Sequence, residues 1–288
     1  MVITKFMESV QARRSAGSAL LATNFYNSET LMAIIAAAKQ TGAEIILQAS
    51  PSTLDYLGVG LAASMARAAA QQAGVTAWLH LDHACDVDLI GQCIHAGFDS
   101  VMIDASEADL EENIRVTKSV VRMAHDVGVA VEAELGYVPK LGQPELTTTG
   151  LTCPEEATRF ATETQVDLLA VSIGTRHGLF SAEPALDLER LDAIHSATPT
   201  PLVLHGGSGL SAQAWQSVIQ RGVVKVNFAS EIKDTFIRQI KAELAASDSI
   251  DLRKLFPPAM EQVTTLVKGK IRICNMEHDG LGMVSVPA

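Results

Sequence analysis

Eight short apolar runs, each leading into a longer amphipathic stretch, restrict what this chain can fold into more than any other feature of it. The runs are Leu20–Thr23, Ile45–Gln48, Trp78–Asp82, Ser100–Asp104, Ala130–Glu134, Leu168–Ile173, Pro201–His205 and Val224–Asn227. Their length and composition predict strands. Helical periodicity follows them, as in Glu29–Gln40, Leu110–Val127, Pro154–Thr164 and Glu231–Ala246. Strands that alternate with helices pair in parallel, and eight is the number that closes into a (β/α)8 TIM barrel. A doubly wound open sheet is the competing α/β arrangement. The 288 residues suit a single barrel with a short extension. No linker divides them, so residues 1–288 read as one domain. Leu252–Cys274 predicts a further helix, a C-terminal helical extension, and Asn275–Ala288 a tail. The one long connection is Gly136–Cys153, with prolines, glycines and a run of threonines, and loops of that length are usually functional or mobile.

Composition excludes several functions. Hydrophobic residues make up 48% and aromatics only 5%, as expected of an aliphatic core of strands buried under helices. The net charge of −11 argues against nucleic acid or an anionic membrane as partner. It also means that an anionic ligand has to be held locally, by backbone amides and a few arginines. Cys85, Cys93, Cys153 and Cys274 form no Cys-x-x-Cys pair, so a reducing cytoplasm is the expected location. The N-terminal stretch has no long apolar segment, and no run is long enough to span a bilayer.

Catalysis in a parallel barrel sits at the C-terminal ends of the strands. Here those ends are polar. Strand one runs into Asn24, strand three ends His80-Leu81-Asp82-His83, strand four ends at Asp104, and strand five carries Glu132 and Glu134. Strand six leads to Arg176-His177-Gly178, strand seven to His205-Gly206-Gly207-Ser208-Gly209, and strand eight to Asn227-Phe228-Ala229-Ser230. Such groups are costly to bury without a partner or a purpose. A histidine at one strand end is most simply a hydrogen-bonded histidine. Three at one barrel mouth, His83, His177 and His205, match a catalytic zinc site with an open position. His80 shares a face with Asp82 and reads as a supporting partner, while His95, His125, His195 and His278 read as surface. The glycine-rich turns after strands seven and eight each precede a helix, which is where barrels commonly hold phosphate.

Seven ordered stretches carry a family resemblance. They are Asn24–Asn27, His80–His83, Val101–Ser106, Val131–Gly136, Ile173–Gly178, Leu204–Leu210 and Lys225–Ser230. In these the chain resembles class II fructose-bisphosphate aldolases, on the branch that contains tagatose-bisphosphate aldolases. The resemblance implies reversible aldol cleavage of a phosphorylated ketose to dihydroxyacetone phosphate and an aldehyde. It implies that His83, His177 and His205 bind Zn2+ or another divalent metal, and that Asp82 is the acid/base. Asp104 and Glu134 would serve an alternate or second metal position. Asn24, Gly178, Gly206, Gly207, Ser208, Asn227 and Ser230 would hold the dihydroxyacetone phosphate half. Arg253 would bind the other phosphate in a neighbouring subunit of a homodimer or homotetramer, and a Na+ or K+ ion often accompanies the family's site. Metal-assisted cleavage needs no Schiff-base lysine, so Lys225 in the last strand is not read as a nucleophile.

Two departures affect the aldehyde half. Relatives usually follow Glu-Leu-Gly with a Gly-Gly loop and an acidic pair; here Tyr137–Glu145 stands instead, leaving Glu145 or Tyr137 to handle the proton. Arg176 replaces a commonly small residue and suits an anionic group, and Ser50 after strand two can line the same half. The alternatives are therefore an aldolase for a different anionic aldehyde, or a non-catalytic sugar-phosphate-binding or assembly subunit on the same fold.

Overall fold

The computed structural model describes residues 4–139, 150–179 and 182–277. Among them a closed barrel of eight parallel strands runs in sequence order, β1 Leu20–Asn24, β2 Ile45–Ala49, β3 Ala77–Ala84, β4 Ser100–Ile103, β5 Ala130–Leu135, β6 Leu168–Val171, β7 Leu202–Leu204 and β8 Val223–Phe228. Closure, with β1 paired to β8, rules out the open sheet. The strands are buried on both faces, one against the barrel interior and one against the helices, which is why they read as near-continuous apolar runs.

Each strand is followed by a helix, and a polar side chain caps most of them. Asn27 forms a capping box with Thr30 at the start of α2 (Ser28–Thr41). Ser50 caps α3 (Pro51–Leu57), and Gly58, at φ 81, joins it to α4 (Val59–Ala73). Asp86 caps α5 (Val87–His95), Asp109 caps α6 (Leu110–His125), and α7 (Pro154–Thr164) begins on proline. Asp187 caps α8 (Leu188–Ala197), Ser211 caps α9 (Ala212–Ile219), and α10 (Ser230–Ala246) follows β8 directly. The predicted extension is α11, Leu252–Cys274, laid against α2 and α10. No described helix is long and apolar enough to cross a membrane.

An element the strand pattern does not announce closes the barrel floor. Helix α1 (Lys5–Ser15), capped by Thr4, inserts Phe6, Met7 and Val10 among Leu20, Ala22, Ile46, Ala130, Leu168, Ala170, Val203 and Val224. Side chains alternate along a strand, so residues two apart share a face. Following the inward face upward, β1 reads Leu20, Ala22, Asn24 and β5 reads Ala130, Glu132, Glu134. The interior therefore passes from an apolar floor sealed by α1 to a polar mouth at the strand C-termini.

Two irregularities place the mouth residues. Between β3 and β4 the register moves from Leu81↔Val101 to Ala84↔Ile103, and His83 takes a left-handed backbone at φ 51. A regular strand would point Asp82 and His83 to opposite faces; the bulge brings both toward the mouth. Between β7 and β8 the register slips from Leu202↔Val223 to Val203↔Lys225. That slip turns Lys225 and Asn227 inward.

Candidate active site

His83 comes from the bulged end of β3, His177 from the turn after β6 and His205 from the first residue beyond β7. One nitrogen from each ring lies within 4.8 Å of the others. The rings stand nearly perpendicular, at 79° to 88°, so their edges converge instead of stacking.

The hydrogen bonds decide which nitrogens face inward. Asp104 takes Nδ1 of His83 at 2.8 Å, and Glu132 takes Nε2 of His205 at 2.8 Å. A carboxylate accepts, so each outer nitrogen carries its proton and the opposite nitrogen presents a lone pair. Those two inner nitrogens, His83 Nε2 and His205 Nδ1, are 2.7 Å apart. Two lone pairs that close require a cation, a proton or a metal, beside them. The surroundings favour one: burial lowers the pKa of His83, yet Asp82, Asp104 and Glu134 together raise it to about 9. Three imidazoles that converge this way, with the outer nitrogens of His83 and His205 each fixed by a carboxylate, fit a divalent metal that takes nitrogen ligands.

Asp82 is held as a carboxylate. Its Oδ2 accepts the Asn24 amide at 2.9 Å, and its Oδ1 accepts Gln48 at 3.0 Å and Asn227 at 3.2 Å. Burial pushes its pKa up, but His83, His205, Lys225 and the Asn24 bond outweigh that and bring it below the ordinary value. Asp104 also falls well below the carboxylate range against the effect of burial, through the hydrogen bond and charge of His83 and the bonds from Ser106. Glu134 goes the other way, raised to about 8 by burial, with its Oε1 accepting the Val138 amide at 3.2 Å.

Beneath the histidines lies a buried ionic layer. Lys225 Nζ is 2.8 Å from Glu132 Oε2, and both side chains are 0% exposed. Lys225 also donates to Asn227 Oδ1 at 2.8 Å, which aims the Asn227 amide at Asp82. One layer further in, His80 pairs through Nδ1 with Ser100 at 2.7 Å. Its ring, expected to support Asp82, instead pairs with Ser100 and turns Nε2 toward Glu132 at 3.8 Å, while Glu132, Lys225 and Gln48 acquire roles that sequence reading did not assign.

The turns after β7 and β8 meet beside this group. Gly206 has φ 70, and a Cβ there would come 2.6 Å from the Arg176 carbonyl oxygen; at Gly207 it would come 2.7 Å from that of Asn227. Only glycine permits these approaches. Ser208 Oγ accepts the amides of Ala229 and Ser230 at 3.1 Å each, at the start of α10. Gly178, at φ 112, follows His177, whose amide donates to the Pro139 carbonyl at 2.8 Å.

The remaining expected residues are less central. Ser50 Oγ caps α3, accepting the Thr53 amide at 3.4 Å. Asn24 meets Asp82. Arg253 is 90% exposed and pairs with Asp251 on its own turn. Arg176 is half-buried beside His177. Glu145 and His278 lie outside the described residues. The ends of the long connection are joined where the Tyr137 amide donates to the Gly150 carbonyl at 2.9 Å. His95 is exposed as expected. His125 and His195 are half-buried, and His125 Nε2 pairs with Asp167 at 2.8 Å.

A family model described as fructose-bisphosphate aldolase class-II matches residues 4–279. The chain belongs to the class II fructose-bisphosphate aldolase family. Among solved structures this aldolase-family chain is similar to the YdjI aldolase from Escherichia coli K12. That match has 29% identity and TM-score 0.84, and covers 94% of this chain and 96% of the other. It is similar also to a Coccidioides immitis protein provisionally described as a fructose-1,6-biphosphate aldolase, at 28% identity and TM-score 0.84, over 93% and 95% of the two chains. Fructose-bisphosphate aldolase from Campylobacter jejuni, at 21% identity and TM-score 0.79 over 94% of each chain, shares the fold.

Proposed function

We propose that this protein is a divalent-metal-dependent aldolase that reversibly cleaves a ketose phosphate, of the fructose or tagatose 1,6-bisphosphate type, into dihydroxyacetone phosphate and an aldehyde. The observation that carries the reading is the convergence of three histidines, His83 and His205 each oriented by a carboxylate, beside an ionised, amide-bound Asp82. His83, His177 and His205 would hold the metal; a nitrogen donor set of this kind favours Zn2+. When bound, the metal supplies Lewis-acid polarisation of the substrate carbonyl.

The protein's own groups do the rest. Asp82 accepts the proton of the hydroxyl at the carbon–carbon bond that breaks, and returns it in the condensation direction. His83, His205 and Lys225, with the Asn24 bond, keep that carboxylate ionised, and Asn24, Gln48 and Asn227 aim it. Gly178, Gly206, Gly207, Ser208 and Ser230 would receive the phosphate through backbone amides and hydroxyls, helped by the N-terminus of α10. Asp104 holds negative charge beside the histidines and, with Glu134, would serve an alternate or second metal position; a Na+ or K+ ion would accompany the site. Glu145, or Tyr137 in its place, would handle the proton at the carbon between the carbonyl and the broken bond. Arg253, standing in solvent on one chain, would act in a second copy within a homodimer or homotetramer.

Arg176, half-buried next to a metal histidine, supports a second reading in which the aldehyde partner carries an anionic group other than a phosphate. A coupled assay for dihydroxyacetone phosphate release across fructose 1,6-bisphosphate, tagatose 1,6-bisphosphate and several ketose 1-phosphates tests both. The preferred ketose names the substrate. Release from none, by protein with its metal, would leave a binding or assembly role on this fold.

A further inference from the structure

We propose that Lys270, on α11 and outside the catalytic group, is a positioning residue for phosphate: with Glu231 it forms a charge-neutral clasp on the β7 turn. The inference rests on the phosphate placement given under Proposed function.

Glu231 is the second residue of α10. Its Oε1 accepts the Gly209 amide at 2.7 Å and lies 3.2 Å from Lys270 Nζ. Lys270 is itself 9% exposed. Its ammonium sits 4.8 Å from the ring centre of Trp215 and 4.9 Å from that of Phe228, so two aromatic faces hold it. Trp215 is anchored in turn, its Nε1 donating to the Gly207 carbonyl at 3.0 Å. Lys270, Trp215 and Glu231 thus grip the Gly207–Gly209 turn from below.

The turn has a second tie, of a different kind. Ser208 Oγ accepts the amides of Ala229 and Ser230, the donors that an anion arriving at the start of α10 would take. When phosphate binds there, Ser208 yields or shares those donors, and the Glu231 bond to Gly209 keeps the turn seated. Glu231 serves this purpose only at an electrostatic cost. It is an anion, bonded to the residue next to Ser208 and adjacent in sequence to Ser230, and alone it would repel the phosphate. Lys270 cancels that charge. The chain as a whole, at −11, offers no general attraction to replace it.

The test compares full-length wild type, Lys270→Met, Glu231→Gln and the double variant, with inorganic phosphate as the probe by calorimetry and the ketose bisphosphate KM alongside. Methionine keeps the packing against the two rings and removes the charge. Glutamine still accepts the Gly209 amide without the charge. Lys270→Met is expected to weaken phosphate binding by about tenfold, the scale of an uncompensated nearby charge. Glu231→Gln leaves Lys270 uncompensated and is expected to tighten phosphate binding by up to about tenfold, and the double variant is expected within about threefold of wild type, on the same reasoning. Far-UV dichroism checks that each variant is folded. A purely structural role predicts no rescue, so a double variant as weak as Lys270→Met overturns the clasp, as does unchanged affinity in Lys270→Met. The two proposals separate cleanly. The predicted phosphate pattern without dihydroxyacetone phosphate release contradicts the aldolase reading and leaves the clasp; release without the pattern does the reverse.

Discussion

Lys225→Met removes one member of a wholly buried ion pair. Lys225 and Glu132 are both 0% exposed, with Nζ and Oε2 2.8 Å apart. Methionine is close to lysine in length, so little volume is lost and the change is chiefly electrostatic. Glu132 then keeps only the His205 Nε2–H as a strong partner, at 2.8 Å. Leaving one buried charge without its counter-charge costs about 3–5 kcal/mol. A chain of 288 residues has an unfolding entropy of roughly 0.6 kcal/mol per kelvin near its midpoint, so the expected fall in Tm is about 5–8 °C. Adding Glu132→Gln removes the stranded charge and should recover most of that loss, because the cost lies in the unpaired ion and not in the absence of the pair. The assay is thermal unfolding of metal-free protein, followed by dichroism, so that metal loss does not enter. A Tm for Lys225→Met within about 1 °C of wild type, or a double variant no more stable than the single, would refute the reasoning.

Other substitutions separate the roles. Asp82→Ala should lower kcat by about 10²–10⁴-fold while metal content stays at the wild-type level, the outcome that the proposed proton-transfer role of Asp82 requires. His205→Ala should lose metal and activity together, read by metal analysis and the coupled assay. Gly207→Ala drives a Cβ against the Asn227 carbonyl oxygen at 2.7 Å and should cost about 1–3 kcal/mol in urea unfolding. Phe6→Ala opens the barrel floor, where Phe6 is 1% exposed, and should cost about 3–5 kcal/mol by the same measurement with the site geometry unchanged.

How much of this could be read from sequence depended on the range of the signal. The eight strands were legible because burial on both faces makes each one a compact apolar run, and α11 and α7 kept their expected ends. Helix α1 was not. It carries three buried residues, Phe6, Met7 and Val10, in an otherwise polar segment, and only the barrel's open floor gives them a reason to be buried. The split of α3 from α4 turns on Gly58, one residue in an otherwise helical stretch.

The same contrast holds at the site. His177 and His205 could be picked out because each stands beside glycine at a strand end. Asp82 and His83 could be named, yet strand alternation would send one of them away from the mouth. Only the left-handed backbone at His83 brings them together, and no local sequence signal marks it. Lys225 and Glu132 were visible as charged residues inside apolar strands. What joins them is a one-residue slip between β7 and β8, a property of barrel closure. Each charge is legible from its own strand, whereas the partner that makes it tolerable comes from another.

The most direct test of the account is to strip the metal with a chelator, dialyse, and measure dihydroxyacetone phosphate release as Zn2+ is titrated back. The account predicts no activity in metal-free protein and recovery that saturates at one metal ion per three-histidine site. Full activity in protein shown to be free of metal would contradict it.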